Sequence, residues 1–517
     1  MDKHPVHPAA IIVFCVLFAM VTGVGFAAVR WRKADLAHLN EWGLAGRKFG
    51  TWLTWFLVGG DIYTAYTFIA VPAALYAGGS AGFFAFAYTT LVFPVLFVFG
   101  PRLWAVCKKH GYITAADFAR GRFGSDSLAL AVAITGILAT LPYIGLQLVG
   151  LKTVIAAMGI KGDWPIIIAF VILAAYTYQS GLRAPALTAI VKDIAIYVTV
   201  TVAIIYIPIK LGGFGHIFDA AGKALPNRTP PAALIPGKAA AYQTYATLAL
   251  GSAFALFLYP HAMTGALSAR SANTIRRNAT LLSFYSLALG IIAILGYMTI
   301  AAGLHPANPN FAVPDLFIKY FPSWFEGFAF AAIGVGALVP AAIMAIAAAN
   351  LFTRNIYSAY FRQGADPREE AAVSKIVSVL VKLGALVFAL FVSTKSAIDL
   401  QLLGGVWIIQ TLPAVFLGLY TRWFHRWALL IGWGVGMVTG TLMAASQSFK
   451  SAYPLSIGSF KVTMYSAFLA ILANLIVTIV LTPLTRRLDR REPRDETEAA
   501  DYLDLSESRD HPKLTPA

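Results

Sequence analysis

GGDIYTAYTFIAVPAALY, residues 59–76, lies inside an apolar run that extends from about residue 50 to residue 77. The run is long enough to cross a membrane as a helix, which takes ~20 apolar residues. Two adjacent glycines and an aspartate nevertheless stand near its middle. Glycine weakens a helix, and a carboxylate is costly in lipid. The stretch therefore predicts a membrane helix that is broken at Gly59, Gly60 and Asp61, with a functional site at the break.

A second apolar run is interrupted at a matching place, by Tyr259, Pro260 and His261. The two interrupted runs each begin a block of five, at about 47–211 and 240–420, as expected of transporters built from inverted repeats with discontinuous helices. A glycine pair or a proline taken alone is more typical of packing or of a kink. The matching positions favour a substrate site between the two breaks.

The composition of the whole chain excludes a water-soluble protein. Of its 517 residues, 58% are hydrophobic and only 12% are charged, and the mean hydropathy is +0.70. Apolar runs of spanning length recur along the sequence. They predict an all-α integral membrane protein with about thirteen helices, near 8–29, 50–77, 81–105, 127–158, 164–181, 185–210, 242–267, 279–303, 324–352, 371–396, 399–420, 427–446 and 461–484.

The net charge of +16 predicts orientation rather than nucleic-acid binding. Lysines and arginines are concentrated in alternate loops, which places those loops in the cytoplasm and the N-terminus outside. We expect a multi-pass protein of a bacterial-type inner membrane, surrounded by lipid, with residues 1–485 as one transmembrane domain. Residues 486–517 have few large apolar side chains and are expected to form a disordered cytoplasmic tail.

Features of an enzyme are missing from the sequence. Cys15 and Cys107 are the only cysteines, too few for a thiolate metal cluster. There is no H-E-x-x-H motif and no phosphate-binding G-x-x-x-x-G-K-[ST] loop. We expect no enzyme activity and no cofactor. Glycines at 432, 436 and 440 predict a close-packing helix face, and we expect a monomer in which this face packs within the chain, with a dimer contact as the alternative.

Four stretches carry a resemblance to a known family. The entry segment, with Gly46-Arg47, Gly59-Gly60-Asp61 and residues 71–76, resembles that of the sodium:solute symporter family, and the similarity spans about residues 8–450. It implies a leucine-transporter-like core of five plus five helices, with one extra helix before it and two after. The other three stretches are residues 178–184 (YQSGLRA), residues 259–261 with 268–272 (YPH and SARSA), and residues 353–357 (TRNIY).

Within that family, residues 180–192 (SGLRAPALTAIVK) and 340–357 (PAAIMAIAAANLFTRNIY) are most similar to bacterial monocarboxylate permeases. The resemblance implies a symporter that imports lactate, pyruvate or related short acids by alternating access. The alternative is a sodium-coupled symporter of another small solute, such as an amino acid or pantothenate.

The family's shared sodium site is incomplete in this sequence. The resemblance assigns two of its carbonyls to Gly60 and Tyr63 and two hydroxyls to the eighth core helix. Residues 327–349 contain no serine or threonine, and a hard cation needs several oxygens to replace its hydration shell. The sodium site is therefore expected to be degraded, although sodium coupling stays open.

Lys192 is the candidate for the coupling ion. It lies deep in a predicted helix and resembles the lysine that replaces sodium in some proton-coupled transporters of this fold. We expect Lys192 to carry the coupling proton, near Gly60, Tyr63 and Asp61. The alternative is a fixed ion pair, with Asp61 better placed than Asp193 because neighbouring helix residues point about 100° apart. His261 is a rival proton carrier.

The acid itself needs donors for two oxygens and a small apolar pocket. The half-helix that begins near Tyr63, Thr64 and Ala65 is expected to offer freed N–H groups and the positive end of its dipole. Each aromatic residue considered for the pocket is individually more typical of ordinary packing. The candidate pocket residues are Tyr66, Tyr143, Phe254, Phe257, Tyr259 and Trp407, with Gln147, Gln401 and Gln410 as polar groups.

Overall fold

The computed structural model describes residues 6–31, 35–237, 239–391, 397–489 and 494–503, and they form a helical bundle. The first half contains α1 Pro8–Ala27, α2 Leu39–Leu44, α3 Thr51–Gly60, α4 Val71–Gly78, α5 Phe84–His110, α6 Ala115–Phe123, α7 Asp126–Ala157, α8 Trp164–Ser180, α9 Arg183–Lys210 and α10 Phe214–Ala224. The second half contains α11 Ala239–Leu256, α12 Pro260–Leu267, α13 Ala272–Ala293, α14 Leu295–Ala301, α15 Ala312–Tyr320, α16 Ser323–Phe352, α17 Pro367–Phe391, α18 Ala397–Ile408, α19 Leu412–Val415, α20 Arg426–Ser446, β1 Ala452–Ile457, β2 Phe460–Tyr465 and α21 Ser466–Leu488.

Ten helical segments of the described chain are long and apolar enough to cross a membrane, or eleven if the bent pair α11 and α12 is one span. The expected number of thirteen is not reproduced, for two physical reasons. The predicted second helix is split, and its part after the break continues into α5 as one apolar segment, Tyr66–His110. In addition, α8 has only 17 residues, fewer than the ~20 that span a bilayer without tilt or thinning.

The centre of the bundle is α16, whose apolar membrane-length stretch is entirely buried. Its sequence is rich in alanine and glycine, and such small residues let neighbouring backbones approach closely. Helices α1, α7 and α9 pack along it. The two broken helices, α3 with α4 and α11 with α12, also contact this layer, so α16 forms one wall of the space between the breaks.

A β-hairpin precedes the last helix. The sequence predicts that this helix begins at residue 461, but residues 460–465 form a strand. Strands β1 and β2 are antiparallel, with Ala452 opposite Tyr465, and the turn lies at Gly458, which adopts a positive φ of 58°. The apolar run was correctly recognised, but its first residues, KVTMY, favour a strand because β-branched and aromatic side chains suit a pleated surface.

The glycine face of α20 closes on neighbours within the chain. A Cβ at Gly432 would lie 2.0 Å from the Thr478 hydroxyl of α21, and one at Gly436 would lie 2.0 Å from the side-chain oxygen of Gln410. Since atoms cannot approach so closely, glycine is required at both positions for α20 to pack against α21 and its surroundings.

Part of the expected tail contacts the bundle. Helix α21 continues to Leu488, and Asp495 forms a 2.8 Å ion pair with Arg122. Burial raises the pKa of Asp501, but the Glu498 N–H, Lys109 and His110 more than offset this effect and hold that pKa at about 2. Acidic groups of residues 494–503 thus pair with a basic surface, while the expectation of a disordered tail stays a prediction. Residues 490–493 and 504–517 lie outside the described chain.

Candidate substrate and coupling-ion site

The first break separates α3 from α4 by residues 61–65 and a wide π-helical turn, Tyr66–Ala70. The N–H groups of Ile62 and Tyr63 both donate to the Gly59 carbonyl, at 3.0 and 3.2 Å, and the Thr67 hydroxyl donates to the Ile62 carbonyl at 2.6 Å. The regular ladder of the helix is thereby interrupted. The carbonyls of Gly60 and Tyr63 point away from it, toward α9.

The ammonium of Lys192 fills the position that these two carbonyls surround. Its Nζ donates to the Gly60 carbonyl and, at 3.0 Å, to the Tyr63 carbonyl. The side chain is fully buried. These are the carbonyls that the family resemblance assigned to sodium, and in this chain a lysine amine is bonded to both.

Asp193 is the counter-charge of Lys192, with Nζ and Oδ1 2.9 Å apart and both side chains fully buried. The expectation that Asp61 would be the better partner is wrong, because the four-carbon lysine stem is flexible enough to bring its ammonium to the neighbouring carboxylate. A Cβ at Gly60 would lie 2.9 Å from Nζ and 3.2 Å from Asp193 Oδ2. Glycine at position 60 therefore gives both charges room beside the backbone.

The opposite wall of this position is α16, where Gly336 faces the Tyr63 carbonyl. A Cβ built there would lie 3.8 Å from that carbonyl oxygen. No hydroxyl can be supplied by α16 at this depth, since the sequence has none between 327 and 349. The position thus offers carbonyl oxygens from the first break and no hydroxyl oxygens from α16.

Aromatic residues close the site on the side of α13. The rings of Tyr63 and Tyr285 are 3.9 Å apart, and Tyr285 also contacts Trp55 and Tyr197 at 5.0 and 5.5 Å. The Tyr63 hydroxyl donates to the Tyr285 carbonyl. Sequence reasoning missed Trp55, Tyr197 and Tyr285, because nothing in their spacing distinguishes them from ordinary packing residues.

The half-helix that follows the first break is already capped at its start, at Thr64 and Ala65. Gln147 on α7 accepts from the Ala65 N–H and donates to the Thr64 hydroxyl, both at 3.3 Å, while that hydroxyl accepts from the Tyr66 N–H at 3.0 Å. The N–H groups expected to be freed for a carboxylate therefore have protein partners. A ligand could reach them only if Gln147 or Thr64 moved.

The second break runs from Phe257 to Tyr259, and α11 and α12 meet there at 50°. The Tyr259 hydroxyl donates to the Gln401 carbonyl at 2.9 Å, and Phe257 contacts Phe93 edge to face. His261 lies in the first turn of α12 with its ring 5.2 Å from those of Tyr143 and Tyr259.

The two breaks meet at Asp61 and His261. Asp61 Oδ2 lies 3.5 Å from His261 Nε2, and their side chains are 7% and 0% exposed. Among the described residues, Asp61 Oδ1, His261 Nδ1 and Gln401 Oε1 are buried without a hydrogen-bond partner. Buried polar atoms are normally paired, so this group of unsatisfied atoms is where a polar ligand would be accommodated.

Some of the predicted pocket residues point elsewhere. Trp407 donates to Thr441 on α20 at 3.0 Å, and Gln410 accepts from Asn474 on α21 at 3.2 Å. Phe254 is 37% exposed on the outside of the bundle. A helix offers neighbours on all its sides, and spacing alone did not identify which side faces the breaks.

A small cavity of about 20 Å³, enough for about one water molecule, lies beside the second break. Its walls are mainly apolar, with a few threonine hydroxyls. The lining includes Leu258 and Pro260 at the break, Val132 and Gly136 on α7, and Thr114 and Thr411.

Broken helices that meet around buried polar atoms, inside a bundle of membrane-length helices, define a helical membrane transporter. Comparison with solved structures agrees. A Na⁺-coupled sialic acid symporter in a substrate-bound outward-open state has the same fold, with a TM-score of 0.74 at 17% identity over 92% of this chain and 98% of that one. Mhp1, a nucleobase-cation-symport-1 family transporter, gives a TM-score of 0.53 at 13% identity over 89% and 98%.

The chain belongs to the sodium:solute symporter family, whose model matches residues 42–436. It is 52% identical to a monocarboxylate transport permease protein of Rhizobium johnstonii, over 93% of this chain and 97% of that protein. It is also 33% identical to the uncharacterized symporter YodF of Bacillus subtilis, over 92% and 93%. The class is thus a multi-pass membrane symporter of small solutes, and the family resemblance found in the sequence is confirmed.

Proposed function

We propose that this protein is a secondary active symporter that imports small monocarboxylates such as lactate and pyruvate, coupled to protons. The similarity to a monocarboxylate permease over nearly the whole chain supports the substrate class. The single observation that carries the coupling is the ammonium of Lys192, which donates to the carbonyls of Gly60 and Tyr63. The ammonium lies where a coupling cation would be expected, at a position without the two hydroxyl oxygens that α16 would otherwise supply.

Proton coupling follows from the chemistry of that ammonium. The protonated amine has three N–H groups, and two carbonyls and Asp193 surround it. The neutral amine carries no charge and holds these groups less strongly, so loss of the proton releases the first break from α9. Binding of a proton and closure of the break are thereby linked, as binding of a cation would be.

The acid is proposed to bind between the breaks, beside Tyr66, Tyr143 and Tyr259. The His261 ring N–H would donate a hydrogen bond to the carboxylate, and Gln401 Oε1 is free to accept a hydrogen bond from the hydroxyl of lactate. The N–H groups at Ala65 and Tyr66 would add donors once Gln147 turns aside. The small cavity at Leu258 and Pro260 would have to widen for the acid to leave on this side.

The molecular layout is part of the same proposal. The core comprises two five-helix repeats, residues 47–211 and 240–420, in one transmembrane domain that spans residues 1–485. The N-terminus lies outside and the C-terminus in the cytoplasm of a bacterial-type inner membrane, as the positive-inside rule requires. The protein acts as a monomer, since the glycine face of α20 is used within the chain.

Uptake of labelled lactate into proteoliposomes tests the substrate class. We expect saturable uptake that unlabelled pyruvate inhibits and that alanine or pantothenate leaves unchanged. Empty liposomes measure passive entry of the undissociated acid. If competition came only from an amino acid or pantothenate, the substrate class would be wrong while the symporter class would stand.

A further inference from the structure

A second lysine, Lys382, is buried in the membrane region and belongs to neither break. It lies on α17, about 22 Å from Pro367 along the helix axis at 1.5 Å per residue, and 1% of its surface is exposed. This depth is beyond the reach of a lysine that extends its head to the membrane surface. Among the described residues its one polar contact is the Ser378 hydroxyl, at 2.9 Å.

Among the described residues no acidic group pairs with Lys382. Helix α17 packs against α2, α7, α8, α16 and the π-helical turn Thr353–Phe361. The acids on these elements bind elsewhere: Glu41 to Arg183, Asp126 to Arg120, Glu326 to His7, Glu369 to Tyr357 and Glu370 to Arg354. The other titratable groups on them, none of which is hydrogen-bonded to Lys382, are Tyr143, Lys152, Tyr176, Tyr178, Arg354, Tyr357, Tyr360, Arg368 and Lys375.

A polar stripe leads from Lys382 to the end of the bundle that carries the basic loops. Glu370, Ser374, Ser378 and Lys382 follow one another at four-residue spacing, and all are at most 8% exposed. Residues four apart lie on one helix face with their Cβ atoms about 5–6 Å apart. A buried helix face is normally apolar, so four successive polar residues here require a reason.

Two members of the stripe are bonded to further polar groups. Glu370 accepts from Arg354 at 3.1 Å and from the Ser358 hydroxyl at 2.9 Å, close to the loop surface. The Ser374 hydroxyl donates to Asn350 Oδ1 at 3.2 Å, and Asn350 Nδ2 is buried without a partner. Hydroxyl groups both donate and accept hydrogen bonds, so each serine can pass on a proton when its hydroxyl turns toward the next polar residue of the stripe.

We propose that Lys382 is a proton-binding site in its own right, which exchanges its proton with the aqueous phase at the basic-loop end through Ser378, Ser374 and Glu370. An ammonium without a counter-charge is unfavourable in such surroundings. The neutral amine is therefore stable there and can accept a proton that the carboxyl end of the stripe supplies. The proton returns by the same path, and no other reactant is required. Lys192 differs because its partners are Asp193 and two carbonyls, whereas Lys382 in the described chain has only a serine hydroxyl.

A proton-binding measurement on the full-length chain in detergent tests this site without any substrate. A weakly buffered sample is shifted from pH 8.5 to 6 in a stopped-flow instrument, and a pH dye counts the protons taken up. We expect Lys382→Met to take up about one proton fewer per chain than the unmodified protein. Lys375→Met, on the same helix but partly exposed and over the Tyr178 ring, is the matched control and should keep the count of the unmodified protein.

Ser378→Ala provides the second arm, should Lys382→Met fail to fold as judged by size-exclusion chromatography. We expect the same number of protons but uptake about tenfold slower, because the alanine removes a donor and acceptor next to Lys382. An unchanged count in folded Lys382→Met, or an unchanged rate in Ser378→Ala, would overturn the proposal. Neither result bears on whether the protein imports monocarboxylates, so failure here is distinct from failure of the proposed function.

Discussion

The two helix breaks differ in what holds them open. The first, residues 61–65, is held from outside by the ammonium of Lys192 and the amide of Gln147. The second, Phe257–Tyr259, is held by its own backbone turns and by the bond from Tyr259 to the Gln401 carbonyl. A break held by a titratable group responds to protonation, whereas a break held by neutral groups does not. The comparison is the reason for assigning the proposed ion coupling to the first break.

Lys192→Met is expected to have the largest effect. It leaves two carbonyls and the Asp193 carboxylate buried without a cation, and breaking a buried pair costs about 3–5 kcal/mol. We expect proton-driven lactate uptake to fall by at least about 100-fold. Lys152→Met, which removes a half-exposed lysine paired with Asp163, should retain most of the uptake. Strong proton-driven uptake by Lys192→Met would show that the proton dependence of the first break does not come from Lys192.

His261→Gln tests whether the second break contributes a hydrogen-bond donor to the substrate. His261 has no hydrogen bond among the described residues and only a 3.5 Å approach to Asp61. We expect an approximately tenfold loss of lactate uptake through a raised KM, because the ring N–H that would donate to the carboxylate is removed. A lost proton dependence with an unchanged KM would instead make His261 the proton carrier and transfer that role from Lys192.

Gln147→Leu separates the neutral support of the first break from the charged one. Two buried hydrogen bonds are lost, both long at 3.3 Å and each contributing about 0.5–0.7 kcal/mol, the lower end of the usual range, so we expect uptake to fall about fivefold to tenfold with its proton dependence retained. Gln363→Leu, at an exposed position, is the control. If Gln147→Leu abolished the proton dependence of uptake, that dependence could not be assigned to Lys192 alone.

Tyr259→Phe should have the smallest effect of the four. It removes one neutral hydrogen bond, to the Gln401 carbonyl, which contributes about 1 kcal/mol, and it keeps the ring contacts with Tyr143 and His261. We expect a loss of uptake of no more than about fivefold at every pH between 6 and 8. A pH-dependent loss would indicate that the second break also responds to protonation.

The fold and the position of Lys192 were predictable because they depend on order and depth along the chain. Breaks at Gly60 and Pro260 follow from residue type, and the carbonyls opposite Lys192 follow from its register with the first break. The identity of its partner, Asp193, was not predictable, since it depends on side-chain torsions. The same holds for Gln147, whose capping of Ala65 occupies N–H groups that the sequence suggested were free.

The predictions that failed depend on packing or on contacts between distant residues. Trp407 and Phe254 were assigned to the pocket by depth, but the side of a helix that faces the breaks is fixed by packing. The strand at Phe460–Tyr465 was read as helix because an apolar run does not by itself distinguish the two. Residues 494–503 form charge pairs with distant residues such as Arg122, which local composition does not reveal.

The most direct test of the central claim, that the Lys192 ammonium replaces the coupling cation, compares gradients in proteoliposomes. Labelled lactate uptake is measured with an inward proton gradient in the absence of sodium, and with an inward sodium gradient at equal pH. Potassium and valinomycin clamp the voltage, and empty liposomes correct for passive entry. Uptake driven by the proton gradient alone is the predicted result. Uptake driven by sodium alone would contradict it, because the carbonyls of Gly60 and Tyr63 would then have to bind a metal ion in place of Lys192.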